Sequence, residues 1–90
     1  MQLGTIYKAD GTTERIKPAN GGSFALPELQ RAVGGFIEHV RMAPGNGHAI
    51  MLINEEGKLR GLPYNALASA LIDPDLSEYV VGDALIITSE

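Results

Sequence analysis

Ninety residues suffice for one hydrophobic core and leave no room for a second, since a chain this short buries only about 60 to 70% of its unfolded surface. The 44% hydrophobic and 20% charged fractions are those of a folded globular domain and exclude a disordered chain. The absence of cysteine excludes disulfides, thiolate metal sites and thiol nucleophiles, and a net charge of −4 disfavours duplex nucleic acid held through counterion release.

The acidity is uneven: residues 1–45 carry five Lys/Arg against four Asp/Glu, and residues 46–90 carry two against seven. No segment approaches the roughly 20 apolar residues of a membrane span, and the first ten residues lack the basic flank and apolar run of a leader, so a cytoplasmic protein is expected. With neither disulfide nor metal to staple so small a core, self-association as a dimer is expected as well.

In chain order, residues 3–8 have the Ile and Tyr of a strand, and Asp10-Gly11 predicts a type I′ turn into a second strand over 12–17. Residues 18–23 read as a loop of Pro, Asn, Gly and Ser, and a mobile loop is favoured over the alternative that residues 20–23 form an amide nest for an anion. Pro27 and Glu28 suit the first turn of a helix over 27–34, in which Leu29, Ala32 and Val33 form the apolar stripe and Gly34-Gly35 the stop. Residues 36–42 and 48–54 predict two strands joined by a loop at 43–47, the second of them apolar on both faces. A turn at 54–57, with Gly57 expected at positive φ, leads to a short third limb over 58–60.

Pro63 and Asn65 then open a second helix over 64–72, with Leu67, Ala68, Leu71 and Ile72 inward and Asp73-Pro74 as its terminator. The chain closes on Tyr79-Val80-Val81, a Gly82-Asp83 bend and a well-covered strand over 84–87. The expected fold is one α+β domain over residues 1–90, ββαββ(β)αβ, with a largely antiparallel sheet and two short helices.

Two polar positions stand out. Period two places Glu38 on the face of Phe36, Val40 and Met42, where an unpaired buried carboxylate would cost several kcal/mol, so donors are expected from Lys58, Arg60 or loop amides. A latch to the next loop is favoured over catalysis, because a lone carboxylate lacks the second acid or base that hydrolysis needs. Asn65 is placed to cap the second helix, the alternative being recognition of a ligand edge by its two-way amide. His39 and His48 could meet across a hairpin, but no third ligand at zinc-like spacing accompanies them, and no serine carries a nucleophile signature.

The blocks Leu29-Gln30-Arg31-Ala32-Val33-Gly34-Gly35-Phe36-Ile37-Glu38, Asn54-Glu55-Glu56-Gly57-Lys58-Leu59, Leu62-Pro63-Tyr64-Asn65 and Val81-Gly82-Asp83 follow the pattern LQ-x-x-VGG-x-I-E, N-E-x-G-K-L, L-P-x-N, V-G-D. In this the chain resembles a family of small phage, plasmid and bacterial proteins classed only as a domain of unknown function. The resemblance implies a mobile-element setting and no established reaction. It singles out Gln30, Gly34, Gly35, Glu38, Asn54, Lys58 and Asn65, each of which also has an ordinary use as a cap, turn or latch.

The function expected first is non-enzymatic sequestration of a small anionic, nucleotide-like signalling molecule, as a counter-defence sponge. Its site would be built from Gln30, Arg31, Gly34, Gly35, Glu38, Asn54, Lys58 and Asn65. The alternative is an inhibitor or adaptor that binds a host protein through an acidic surface. An enzyme ranks third, and neither cofactor nor metal is expected.

Overall fold

The structure, a computed structural model, describes residues 1–89. Five strands form one antiparallel sheet: β1 (Gln2–Tyr7), β2 (Thr13–Ile16), β3 (Ile37–Val40), β4 (Ile50–Asn54) and β5 (Ala84–Ser89), in the order β2-β1-β5-β4-β3. Helix α1 (Leu26–Val33) lies between β2 and β3 in sequence, and α2 (Ala66–Ser69) with a 3-10 turn (Pro74–Leu76) between β4 and β5. The expected α+β class and antiparallel sheet are what the chain adopts.

The last strand is the central one. β5 pairs with β1, Tyr7 opposite Ala84, and with β4, Leu52 opposite Leu85. Its apolar run divides by alternation, so that Leu85 and Ile87 face one side and Ala84 and Ile86 the other. The apolar interior is accordingly split by the sheet. On one face α1 packs Val33 against Leu52, Leu85, Ile87 and Ile6, with Phe24 and Ile16 at the margin. On the other, Ala68 and Ile72 with Val80 cover Val40, Met51, Ala84 and Ile86.

Several local expectations are corrected. The turn after β1 is not type I′, because Gly11 has positive φ (92°) and Asp10 does not. Gly11 N–H donates to Lys8 O and Lys8 N–H to Thr12 O, the pattern of a type I turn closed by a glycine bulge, with Asp10 Oδ1 accepting from Thr12. The second helix is one turn long instead of spanning 64–72. Its continuation is drawn into an isolated bridge between Met42 and Ile72, with Ala43 N–H donating to Leu71 O and Asp73 N–H to Arg41 O. The same bridge takes Met42 out of β3. Residues 58–60 are turn, and 79–81 supply only a bridge between Val81 and Tyr64. Gly57 lacks positive φ and is required by crowding: a Cβ there would lie 2.9 Å from Val81 Cγ2 and 3.3 Å from Asn54 O.

Glu38 is the main correction. It does share a face with Val40, as period two requires, and pairs across to Ile53. But β3 is an edge strand, and the segments covering Val40 stop short of Glu38, which is exposed and whose carboxylate has no hydrogen bond among the described residues. Its expected donors are engaged elsewhere, Lys58 by Glu78 and Arg60 by Gly34 O at 3.3 Å.

Candidate functional site

Gln30, Gly34, Gly35 and Asn54 come together as the seat of the C-terminus of α1. Gln30 O accepts from Gly34 N–H (2.8 Å) and Gly35 N–H (3.1 Å), Gly34 taking the left-handed conformation (φ 79°) that such a stop requires. Beneath it Asn54, buried at the end of β4, donates from Nδ2 to Val33 O (3.2 Å) and accepts at Oδ1 from Glu56 N–H (2.8 Å). Gly35 permits this approach, since a Cβ there would stand 2.8 Å from Asn54 Nδ2. The group is thus occupied with holding helix to sheet.

Asn65 is wholly buried and fully bonded. It caps α2 by accepting from Ala68 N–H (3.0 Å), and its Nδ2 donates to Tyr7 O (2.7 Å) and Gly82 O (2.8 Å), tying helix, first strand and final bend into one junction. Its side chain faces no solvent and is not available to a ligand in this conformation.

Arg31 and Lys58 lie on opposite faces of the sheet, each beside a groove. The first groove, about 370 Å³, runs between α1 and β2. Its floor is Ile6, Ile16 and Phe24, and its sides carry Lys17 and Arg31. Phe24 N–H donates to Gln2 Oε1 (2.8 Å), and its ring lies against Gly4, where a Cβ would meet Phe24 Cζ, Ile16 Cγ1 and Leu85 Cδ1, each at 3.0 Å.

Two carboxylates also line this groove, and both are engaged. Glu14 pairs with Lys8 at 3.1 Å. Glu28 accepts from Ala25 N–H (2.9 Å) and Ala19 N–H (3.0 Å), the amides that hold its carboxyl below the usual carboxylate range. Among the described residues Lys17 and Arg31 form no salt bridge, although the Arg31 charge acts on Glu28, so the groove joins an aromatic floor to two cations that no carboxylate holds in contact. The nearby loop does not form an amide nest, because Gly22 and Ser23 N–H donate to Asn20 Oδ1.

The second groove follows β3 on the opposite face. Glu38, Glu55, Lys58 and Glu78 surround a pocket of about 110 Å³ floored by Val40, Ile53, Leu59, Tyr79 and Val81. Lys58 is held by Glu78 and lies 4.2 Å from the Tyr79 ring centroid, and Tyr79 packs on Tyr64 at 6.2 Å. Neither histidine joins it as a ligand set: His39 pairs with Leu52, His48 lies in the loop before β4, and no metal-ligating cluster occurs among the described residues.

The sequence marks no site role for Lys17, Phe24, Glu78 or Tyr79, and Leu59 enters there only as the last residue of the N-E-x-G-K-L block. Phe24 alone carried a signal, as an aromatic side chain closing a Gly-rich loop. The rest are assembled by tertiary contacts between distant segments.

The model of a family described as Domain of unknown function (DUF3846) matches residues 5–90. No curated protein and no solved structure matches the chain. No helix among the described residues is long and apolar enough to cross a membrane.

Proposed function

For a chain that belongs to the DUF3846 family, we propose binding without chemistry: capture of a small anionic, nucleotide-like molecule in the groove between α1 and β2. The observation that carries this reading is the pair of cations without carboxylate partners, Lys17 and Arg31, set over the Phe24 floor. Phosphates are drawn to guanidinium and ammonium groups, Arg by its two-pronged geometry and Lys as a point charge, while an aromatic floor suits the flat face of a base. A groove of about 370 Å³ is of ligand size.

Of the residues singled out in the sequence, only Arg31 stands in this groove, and the Gln30–Asn54 group serves it by fixing α1 on the sheet. Both carboxylates of the groove, Glu14 and Glu28, are already engaged, which favours capture over turnover. A mobile-element origin, a cytoplasmic location and a dimer in which a second copy adds burial all suit this reading.

Calorimetry against cyclic and linear nucleotides, followed by chromatography of the recovered ligand, tests it. Binding that weakens with salt, with the ligand returned intact, is the expected result. A chemically changed ligand would make the protein an enzyme, and silence across the panel would remove the reading.

A further inference from the structure

The face opposite this groove has three features that no internal need of the fold accounts for. The first is exposed apolar surface: Leu59 is 89% exposed and Tyr64 58%, Tyr79 packs on Tyr64 and lines a pocket with Leu59, and Phe36 just before β3 is 61% exposed. The second is an open strand edge. Phe36 O accepts from Glu55 N–H, so the bonded pairs with β4 fall at residues 36, 38 and 40, and the backbone groups of Ile37 and His39 turn outward. Further along, the bridge from Leu71 to Asp73 closes the same edge beside Arg41 and Ala43, and Arg41 is fastened to Asp73 at 2.7 Å. The open stretch is therefore short and bounded.

The third feature is charge. Glu38 and Glu55 rim the pocket without an ion pair among the described residues, while its cation, Lys58, is already held by Glu78. A groove of about 460 Å³, lined by Glu38, His39, Arg41, Leu76 and Glu78, wraps from this face onto the open edge.

We propose that this edge is a docking site for an extended, basic segment of a partner protein. The segment adds a short strand beside β3, bonding to the outward groups of Ile37 and His39. It sets a lysine or arginine against Glu38 and Glu55 and lays an apolar side chain on Leu59 and Tyr79. Strand addition supplies the main-chain bonds, and alternate side chains read the face. Charge decides among occupants. A second copy docking β3 on β3 would bring its own Glu38 into the same carboxylate rim, and β2 docked on β3 makes a head-to-tail contact that does not close. Phosphate-bearing partners meet the same repulsion.

The site is independent of the α1–β2 groove, so the two fail separately. The test is selection of a random 12-residue peptide library on the immobilised full chain, then titration of synthetic copies of the enriched peptides. Enriched sequences are expected to alternate basic and apolar residues, to shift the Ile37 and His39 amide resonances, and to lose at least about tenfold in affinity with Glu38→Lys. Leu59→Asp, at a position 89% exposed, is expected to act likewise while leaving the thermal melt unchanged, and both variants keep any nucleotide binding of the parent. No enrichment, enriched peptides that shift the α1–β2 groove instead, or a dimer that buries the same amides would overturn the proposal.

Discussion

The two faces of the sheet use the same strand alternation to opposite ends. On the α1 face the carboxylates at the groove are engaged, Glu28 by backbone amides and Glu14 by Lys8, which leaves Lys17 and Arg31 without partners. At the β3 edge of the other face it is the cations that are engaged, Lys58 by Glu78 and Arg41 by Asp73, which leaves Glu38 and Glu55. A net charge of −4 conceals this division. What a surface attracts is set by which charges remain uncompensated after folding, and composition counts them all alike.

The deepest expected effect lies at the junction between the faces. Asn65→Ala strips a fully buried cap and leaves Tyr7 O, Gly82 O and Ala68 N–H without their partners. It is expected to destabilise the fold by about 3 kcal/mol in denaturant melts. A loss below about 1 kcal/mol would mean that water replaces the amide and that the faces are less firmly coupled than these bonds imply.

Next is the cationic groove. Arg31→Ala and Lys17→Ala are each expected to weaken nucleotide binding about tenfold and to reduce its salt dependence, with stability nearly unchanged. Equal affinity in both variants and the parent, read by calorimetry, would dissolve the contrast from that side.

Acid should test both faces together. Glu28 is held below the ordinary carboxyl range by the N–H groups of Ala25 and Ala19, and Asp73 by the N–H of Asp75 and then by Arg41. A depressed pKa in the folded chain stabilises fully above the ordinary carboxyl value, about 4, and the contribution disappears as pH falls through the lower folded value. Thermal melts are therefore expected to decline below about pH 4, and Glu28→Gln and Asp73→Asn each to flatten part of that decline. An acid limb identical in parent and both variants would show that neither carboxylate matters to it.

Smallest is Glu38→Ala, expected to change stability by no more than about 0.5 kcal/mol because the side chain is exposed and unbonded. A larger loss would mean that the edge is covered in solution, by a second copy or by a repacked loop.

The residues that were legible in the sequence are those whose surroundings are local. Leu85 to Ile87 read as a covered strand because both faces are apolar, and Gly34 as a helix stop because the left-handed turn is a property of the chain at that point. Glu38 was placed on the correct face by period two, yet whether that face has a cover there depends on where the Pro74–Leu76 turn and the residues after it lie, far along the chain. The helix predicted over 64–72 is shorter in the structure for a similar reason, since Leu71 and Asp73 bond to the extension of β3 in preference to another turn of helix. Asn65 stands out in the sequence as a cap and Asn54 only through the family pattern, and their partners, Val33 O, Tyr7 O and Gly82 O, come from segments distant in the chain.

The position of β5 has a consequence for how the chain acquires its structure. In the sheet the hairpin of β1 with β2 and the hairpin of β3 with β4 are joined through β5, which follows both in sequence and lies between them. During synthesis both hairpins emerge with an apolar edge that nothing yet fills. Closure waits for Ala84 to Ile87 and then joins segments from nearly the whole length of the chain, which makes folding a late, non-local event and a slow one for so small a protein. Until it happens the chain has two unpaired strand edges to shield from its neighbours.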